Sequence, residues 1–188
     1  MTTLERPRPG VVVAQPARGF RYAVDAFWLA GFALDTGPRP GAALDLGTGS
    51  GIVALLLGAA GVPTLGVDVR PEWAPLWARS LAESAPAAPV CLQRGDVVDG
   101  VPGGFDLAVC NPPYFAPGEG PASPDPWKRA ARTESTAPLG AFVAAALGAL
   151  TPRGRACLVL EQRREDDALA VAGGVSRWVR VGHRRSLL

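Results

Sequence analysis

A chain of 188 residues is long enough for one domain with a sizeable core. A formal net charge of +2 is too small to mark a nucleic-acid binder by itself, and a single histidine, His183, leaves no histidine cluster for a metal. Cys91, Cys110 and Cys157 sit in apolar runs without metal-ligand spacing, so they are expected as reduced core residues of a cytoplasmic protein. The first ten residues, MTTLERPRPG, have no apolar core of the kind a signal peptide needs. The uncharged stretch Leu46–Val67 has the length of a membrane span, but its glycines and Pro63 fit a loop, a core helix and a buried strand instead. No metal and no membrane are therefore expected.

In chain order, residues 1–10 are poor in apolar side chains and read as a frayed end. Val11–Val13 and Phe20–Tyr22 read as two short strands with Gln15–Gly19 turning between them. Phe27, Leu29, Ala30, Phe32 and Leu34 suit a buried helix that starts near Asp25 and ends at Gly37-Pro38. Then come a strand over Ala42–Leu46, a helix over Ile52–Ala60 and a strand over Thr64–Val67 ending in Asp68. A helix over Pro71–Ser84 carries Trp73, Leu76, Trp77 and Leu81 on one face, with Pro71 suited to its first turn. Strands follow at Val90–Gln93 and Leu107–Cys110. Ala116–Ala137 is a long Pro, Gly and Ser-rich loop, a length that in a compact domain is functional or disordered. A helix over Leu139–Leu150, a strand over Arg155–Leu160, a helix over Asp166–Ala172 and a sixth strand over Trp178–Val181 complete the series. The alternation predicts an α/β fold, a parallel sheet with helices on both faces.

Two stretches carry chemistry. The first is Gly47-Thr-Gly-Ser-Gly51, between a strand and a helix, where a ligand can approach the backbone at a helix N-terminus. The pattern is neither the GxGxxG of dinucleotide folds nor a P-loop. Asp68, one βα unit on, can accept from ribose hydroxyls or can simply be a helix N-terminal acid. Asp96 can accept from an adenine amine or be a plain turn residue. Asp45, inside its strand, needs partners if ionised, and a buried structural acid is the alternative.

The second stretch is Phe105–Phe115, FDLAVCNPPYF. Its apolar run reads as a buried strand, and two prolines after Asn111 prevent both strand and helix from continuing. The Asn111 side-chain carbonyl and the Pro112 carbonyl are two acceptors, and a planar NH2 group has two donors to give. Tyr114 adds a ring for stacking. The corner suits an exocyclic amine or an amide; a Pro-rich turn after a core strand is the plain alternative.

Leu44–Gly51 (LDLGTGSG), Gly66–Val69 (GVDV), Arg94–Asp96 (RGD) and Asn111–Tyr114 (NPPY) stand in the order and spacing of class I S-adenosylmethionine-dependent methyltransferases, over about residues 42 to 160. Gln15–Ala30 resembles the N-terminal segment of bacterial tRNA (valine) adenine-N6 methyltransferases, and Ala131-Arg-Thr-Glu134 resembles the Ala-Arg-x-Glu that follows their NPPY-Phe. The resemblance implies a Rossmann-like fold in two parts. Residues 1–40 would form short strands and a helix packing over the cofactor and substrate site, and residues 41–188 the methyltransferase domain. It implies an S-adenosylmethionine site at Asp45, Gly47, Gly49, Gly51, Asp68, Asp96 and Asn111, with Asp68 on the ribose and Asp96 near the adenine. It implies catalysis at Asn111, Pro112, Pro113 and Tyr114 and substrate contacts from Tyr114, Phe115, Arg129 and Arg132. The implied reaction is N6-methylation of an adenine in tRNA, the base being swung out against Tyr114.

Trp127, Lys128, Arg129 and Arg132 suit RNA, or are a solvated surface loop. Arg177, Arg180, His183, Arg184 and Arg185 form a second cluster that is a phosphate patch or a strand edge guarded by charge. Members of the family run on past the sixth strand to a final antiparallel strand. Here Ser186–Leu188 stands in its place, so that strand is expected to be missing. Two alternatives remain. One is a glutamine methyltransferase acting on a protein such as a release factor, although those enzymes carry a helical substrate domain before the glycine loop. The other is a non-catalytic S-adenosylmethionine-binding domain.

Overall fold

The computed structural model describes residues 2–18, 21–113 and 137–174. The chain opens with a hairpin, β1 (Thr2–Arg8) against β2 (Val11–Pro16), turned through Gly10 at φ 77°. This corrects two expectations. Residues 2–8 are a paired strand rather than a frayed end, and β2 turns back on β1 rather than forward to Phe20–Tyr22. Gln15 and Pro16 lie inside β2, paired with Thr3 and Thr2, and neither Arg21 nor Tyr22 is in a strand. β1 is legible only through its partner. Its own sequence is polar and contains Pro7, which sits where the register shifts between Glu5 and Arg8, as proline in an edge strand does. Arg21 returns to the hairpin by pairing with Glu5.

Among the described residues no strand pairs with the second edge of β2. The Val12 N–H donates to Ser84 Oγ at 2.9 Å, the Ala14 N–H donates to Ser80 Oγ at 2.9 Å, and Ser84 Oγ–H donates to the Val12 carbonyl at 3.1 Å. Serines on one face of α3 (Ala74–Glu83) and at its C-terminal cap thus satisfy backbone groups that burial would otherwise leave unpaired. Val11 to Gln15 are all buried.

The main sheet is parallel, in the order β5 (Val90–Arg94), β4 (Thr64–Asp68), β3 (Ala43–Leu46), β6 (Phe105–Cys110), β7 (Leu150–Leu158). On one face, α1 (Val24–Asp35) and α2 (Ile52–Ala59) cover Ala43, Leu107, Val109 and Cys157. On the other, α4 (Leu139–Gly148) brings Phe142 and Ala146 onto Leu44, Leu46, Ala108 and Cys110. The central strands are packed on both faces, so their sequences are mainly apolar and do not alternate. A single 3₁₀ turn, Pro71–Trp73, leads into α3, and another, Gln162–Arg164, leads into α5 (Glu165–Ala172). The expected helix over residues 71–84 is therefore split at Trp73.

Three further expectations change. β7 begins at Leu150, not Arg155, because its register slips against β6 between the Phe105–Leu150 and Leu107–Arg155 pairs. Cys91 is exposed on the edge strand β5, while Cys110 and Cys157 are buried. The apolar stretch after Leu46 divides into the glycine loop, α2 and β4, and among the described residues no helix is long and apolar enough to cross a membrane. The expected sixth strand, Trp178–Val181, lies outside the described residues, as does all but Ala137 of the loop expected over Ala116–Ala137.

Candidate active site

The carboxyl ends of β3, β4, β5 and β6 meet at the glycine loop. Gly47, Gly49 and Gly51 have φ of 65°, 53° and 82°, so the turn from β3 into α2 runs through backbone that L side chains rarely adopt. At Gly51 space agrees with φ, since a Cβ there would lie 2.6 Å from Leu92 Cδ1. The loop is fixed from several sides. The Thr48 N–H donates to the Val67 carbonyl at 2.9 Å, and the Gly51 N–H donates to the Thr48 carbonyl at 2.8 Å. The Gly49 N–H donates to Asp68 Oδ2 at 2.9 Å, and the Trp77 indole N–H donates to the Gly49 carbonyl at 2.8 Å.

Asp45 lies beneath this loop and is 2 % exposed. Its Oδ2 accepts from Thr48 Oγ1 at 2.6 Å and from the Ala54 N–H at 3.1 Å, so it joins the loop to the first turn of α2. Burial pushes its carboxyl up to about 7, against the two hydrogen bonds, and the Asp68 charge adds to the rise. Cys110, at the end of β6, is held well above the ordinary thiol value by burial first and by Asp45 second. It is a packed core thiol rather than a nucleophile.

Asp68 ends β4 and is 7 % exposed. Besides Gly49, it accepts from the Arg70 N–H at 3.0 Å and from Arg70 Nε at 3.4 Å. The Arg70 guanidinium also lies 4.9 Å from the centroid of the Trp73 ring. Asp96 follows β5, and its Oδ1 accepts from the Val98 N–H at 3.0 Å. Asn111 and Pro113 follow β6 half-buried, and Pro112 is buried between them.

Several of these groups line one cleft that opens to solvent. Of the residues singled out in the sequence, Gly47, Gly49, Asp68, Asp96, Asn111 and Pro113 line it. Asp45, Gly51 and Pro112 do not: Asp45 and Gly51 shape the loop from behind. Val69, Arg70, Val97, Ala137 and Phe142 also line the cleft and were not singled out. Arg70 was within reach of sequence reasoning, two residues past Asp68 and just before the proline that opens a helical turn. Phe142 comes from α4 and carries no local signal. Tyr114, Phe115, Arg129, Arg132, the other basic residues of that loop and the cluster Arg177–Arg185 lie outside the described residues. None of the described residues among 1–40 lines the cleft. No group of three or more His, Cys, Asp or Glu that could hold a metal ion occurs among the described residues.

The cleft has acceptors on one wall (Asp68, Asp96), glycine backbone at its base, and apolar sides from Val67, Val97 and Phe142. It can take a ligand with donor hydroxyls and a flat amine-bearing ring, and it can present that ligand to Asn111.

No family model matches the chain. It is 33% identical over 140 residues to the tRNA1(Val) (adenine(37)-N6)-methyltransferase of Porphyromonas gingivalis, covering 70% of this chain and 54% of that protein. It is 33% identical over 132 residues to the enzyme of that name from Aeromonas salmonicida, covering 69% and 55%. The chain thus spans about half the length of the curated relatives it matches. Among solved structures it resembles the ribosomal protein L11 methylase of Lactobacillus delbrueckii subsp. bulgaricus, with a TM-score of 0.60 at 18% identity, over 84% of this chain and 74% of that one. It also resembles a TehB-like SAM-dependent methyltransferase of Corynebacterium glutamicum, with a TM-score of 0.52 at 24% identity, over 77% and 69%. The fold is the Rossmann-like fold of these methyltransferases.

Proposed function

We propose, from the chain's likeness to tRNA adenine-N6 methyltransferases, that it transfers a methyl group from S-adenosylmethionine to N6 of an adenine in tRNA. The observation that carries the reading is the convergence of Gly47, Gly49, Asp68 and Asp96 with Asn111 and Pro113 on one cleft. Fit to the cofactor follows from the donor and acceptor inventory. A carboxylate has roughly four lone-pair sites, and Asp68 has used three, on the Gly49 N–H, the Arg70 N–H and Arg70 Nε. One ribose hydroxyl can join without displacing anything; a second would displace Arg70 Nε, the longest of the three bonds. Val69 and Val97 line the same cleft as Asp96 and offer apolar surface suited to a purine ring.

Bound there, S-adenosylmethionine supplies an electrophilic methyl group on a sulfonium centre. The chain's own task is to hold the amine that receives it. Asn111 Oδ1 and the Pro112 carbonyl accept the two N6 hydrogens, and Tyr114 supplies a face against which the extruded base stacks. As the new N–C bond forms and the sulfonium C–S bond breaks, nitrogen gains positive charge and pyramidal shape; it then releases one hydrogen to water as a proton, leaving N6-methyladenine and S-adenosylhomocysteine. Acceptors aimed at its hydrogens bind the charged, pyramidal state more strongly than the flat ground state, which is the differential binding that accelerates a reaction. Alignment of donor and acceptor in one cleft supplies the rest. A protein glutamine presents a similar amide NH2, but the curated relatives speak for the base.

The test is mass spectrometry of nucleosides from tRNA lacking the modification, after incubation with the protein and S-adenosylmethionine. N6-methyladenosine is the expected product. Methyl transfer to a protein fraction without N6-methyladenosine in the tRNA would turn the reading to glutamine, and cofactor binding with neither product would leave a binding domain.

A further inference from the structure

Trp77 does not line the cleft, yet it holds the residue at the cleft's base. It lies on α3, 3 % exposed, and its indole N–H donates to the Gly49 carbonyl at 2.8 Å in a buried setting. The Gly49 N–H is held from the opposite side by Asp68 Oδ2 at 2.9 Å. Gly49 itself sits at φ 53°, between two more glycines with left-handed backbone. Such a chain has many conformations open to it, and glycine loses the most freedom on being ordered. Two hydrogen bonds fastened to a single residue remove that freedom before any ligand arrives. Trp73 lies beside the same residue, its Cζ2 3.9 Å from where a Gly49 Cβ would stand. The donor comes from Trp77.

We infer that Trp77 is a positioning residue for the cofactor, acting through the Gly49 carbonyl to keep the glycine loop in its binding shape. This rests on the reading of the cleft as an S-adenosylmethionine site. Without the indole N–H, a buried carbonyl loses its partner and the loop shifts to hydrate it. The ligand must then restore the order, and affinity falls although no contact to the ligand has been touched. The residues of the NPP corner belong to β6 and the turn after it, and Trp77 bonds to none of them. The effect should therefore fall on cofactor binding and spare the chemical step.

The experiment uses the full chain with S-adenosylhomocysteine as the calorimetric probe, and S-adenosylmethionine with tRNA for kinetics. Trp77→Phe keeps an aromatic ring and removes the donor. Its Kd for S-adenosylhomocysteine and its KM for S-adenosylmethionine should rise roughly tenfold, with kcat at saturating cofactor and KM for tRNA unchanged. Trp77→His discriminates further. Its imidazole overlays the five-membered half of the indole, which places Nε2 where the indole nitrogen stood. At about pH 8 that ring is neutral and can donate from Nε2. A hydrogen-bonding role predicts that His binds the probe better than Phe despite its smaller volume. A packing role predicts the reverse order.

Affinity within roughly twofold of the native chain for folded Trp77→Phe, or His no better than Phe, overturns the inference. If Trp77→Phe does not fold, Trp77→His decides alone: a loss of roughly tenfold or more in the folded His variant counts against the hydrogen bond, and near-native affinity supports it. A native chain that binds no S-adenosylhomocysteine at all would instead refute the cofactor reading itself.

Discussion

Replacing Asp45 by Asn isolates the electrostatics beneath the glycine loop. Asp45 is 2 % exposed and accepts from Thr48 Oγ1 and the Ala54 N–H through one oxygen. Burial disfavours its charged form more than those two bonds favour it, and its carboxyl is pushed up from the ordinary 3.8 to about 7. Between those values the unfolded chain has released the proton while the folded chain still holds it, so unfolding becomes easier as pH rises. The stabilisation is fully present below about pH 4 and is lost as pH climbs through about 7. At about 1.36 kcal/mol per unit, a difference of about three units is worth up to about 4 kcal/mol. An Asn amide oxygen can accept the same two hydrogen bonds and cannot ionise, so Asp45→Asn should remove this dependence. Urea denaturation of both proteins at pH 5, 6, 7 and 8 measures it. Asp45→Asn should gain on the native chain as pH rises from 5 to 7, by about 1.36 kcal/mol per pH unit at most. A stability difference that stays level from pH 5 to 8 would refute the reasoning, because it would mean that the two donors outweigh burial and that Asp45 is ionised throughout.

Asp68→Ala removes the proposed ribose acceptor and the partner of the Gly49 N–H together, and calorimetry should show S-adenosylmethionine binding weakened by roughly 1.5–3 kcal/mol; unchanged affinity would detach the cofactor from this wall. Asn111→Ala should abolish methyl transfer to tRNA while cofactor affinity stays near native, since the proposed role of Asn111 is to hold the substrate amine. Tyr114→Phe should turn over nearly as well as the native chain and Tyr114→Ala poorly, and equal damage in both would remove the stacking role. Binding to tRNA should weaken steeply with salt, and Arg129→Ala with Arg132→Ala should flatten the log–log slope by up to about one unit per lost contact; a slope the substitutions leave alone would place the phosphate contacts elsewhere.

The sequence by itself was enough wherever local pattern and local chemistry coincide. The strand, glycine turn and helix from Ala43 to Ala59 are written into three apolar residues around Asp45, three glycines that alone tolerate φ between 53° and 82°, and a wholly apolar helix. The stop after Cys110 is written into two prolines. The acids that close β4 and the turn after β5, Asp68 and Asp96, follow once the alternation of strand and helix is read. What the sequence leaves silent is held by partners far along the chain. β1 is a strand because β2 pairs with it, and β2 is buried because Ser80 and Ser84, more than 60 residues on, complete its second edge. Cys91 and Cys110 both occur in apolar runs, but β5 is the edge of the sheet and β6 is inside it, and only strand order separates them. Asp45 could have faced the ligand or the core. The tertiary structure turned it toward Thr48 and Ala54, because a buried carboxyl takes the nearest donors, and those lie in the loop it supports. The Trp77–Gly49 bond spans 28 residues, and no local signal in the sequence announces it. It exists because α3 packs against β2 and β5 with Trp77 buried, and not because of anything near Gly49 in the chain.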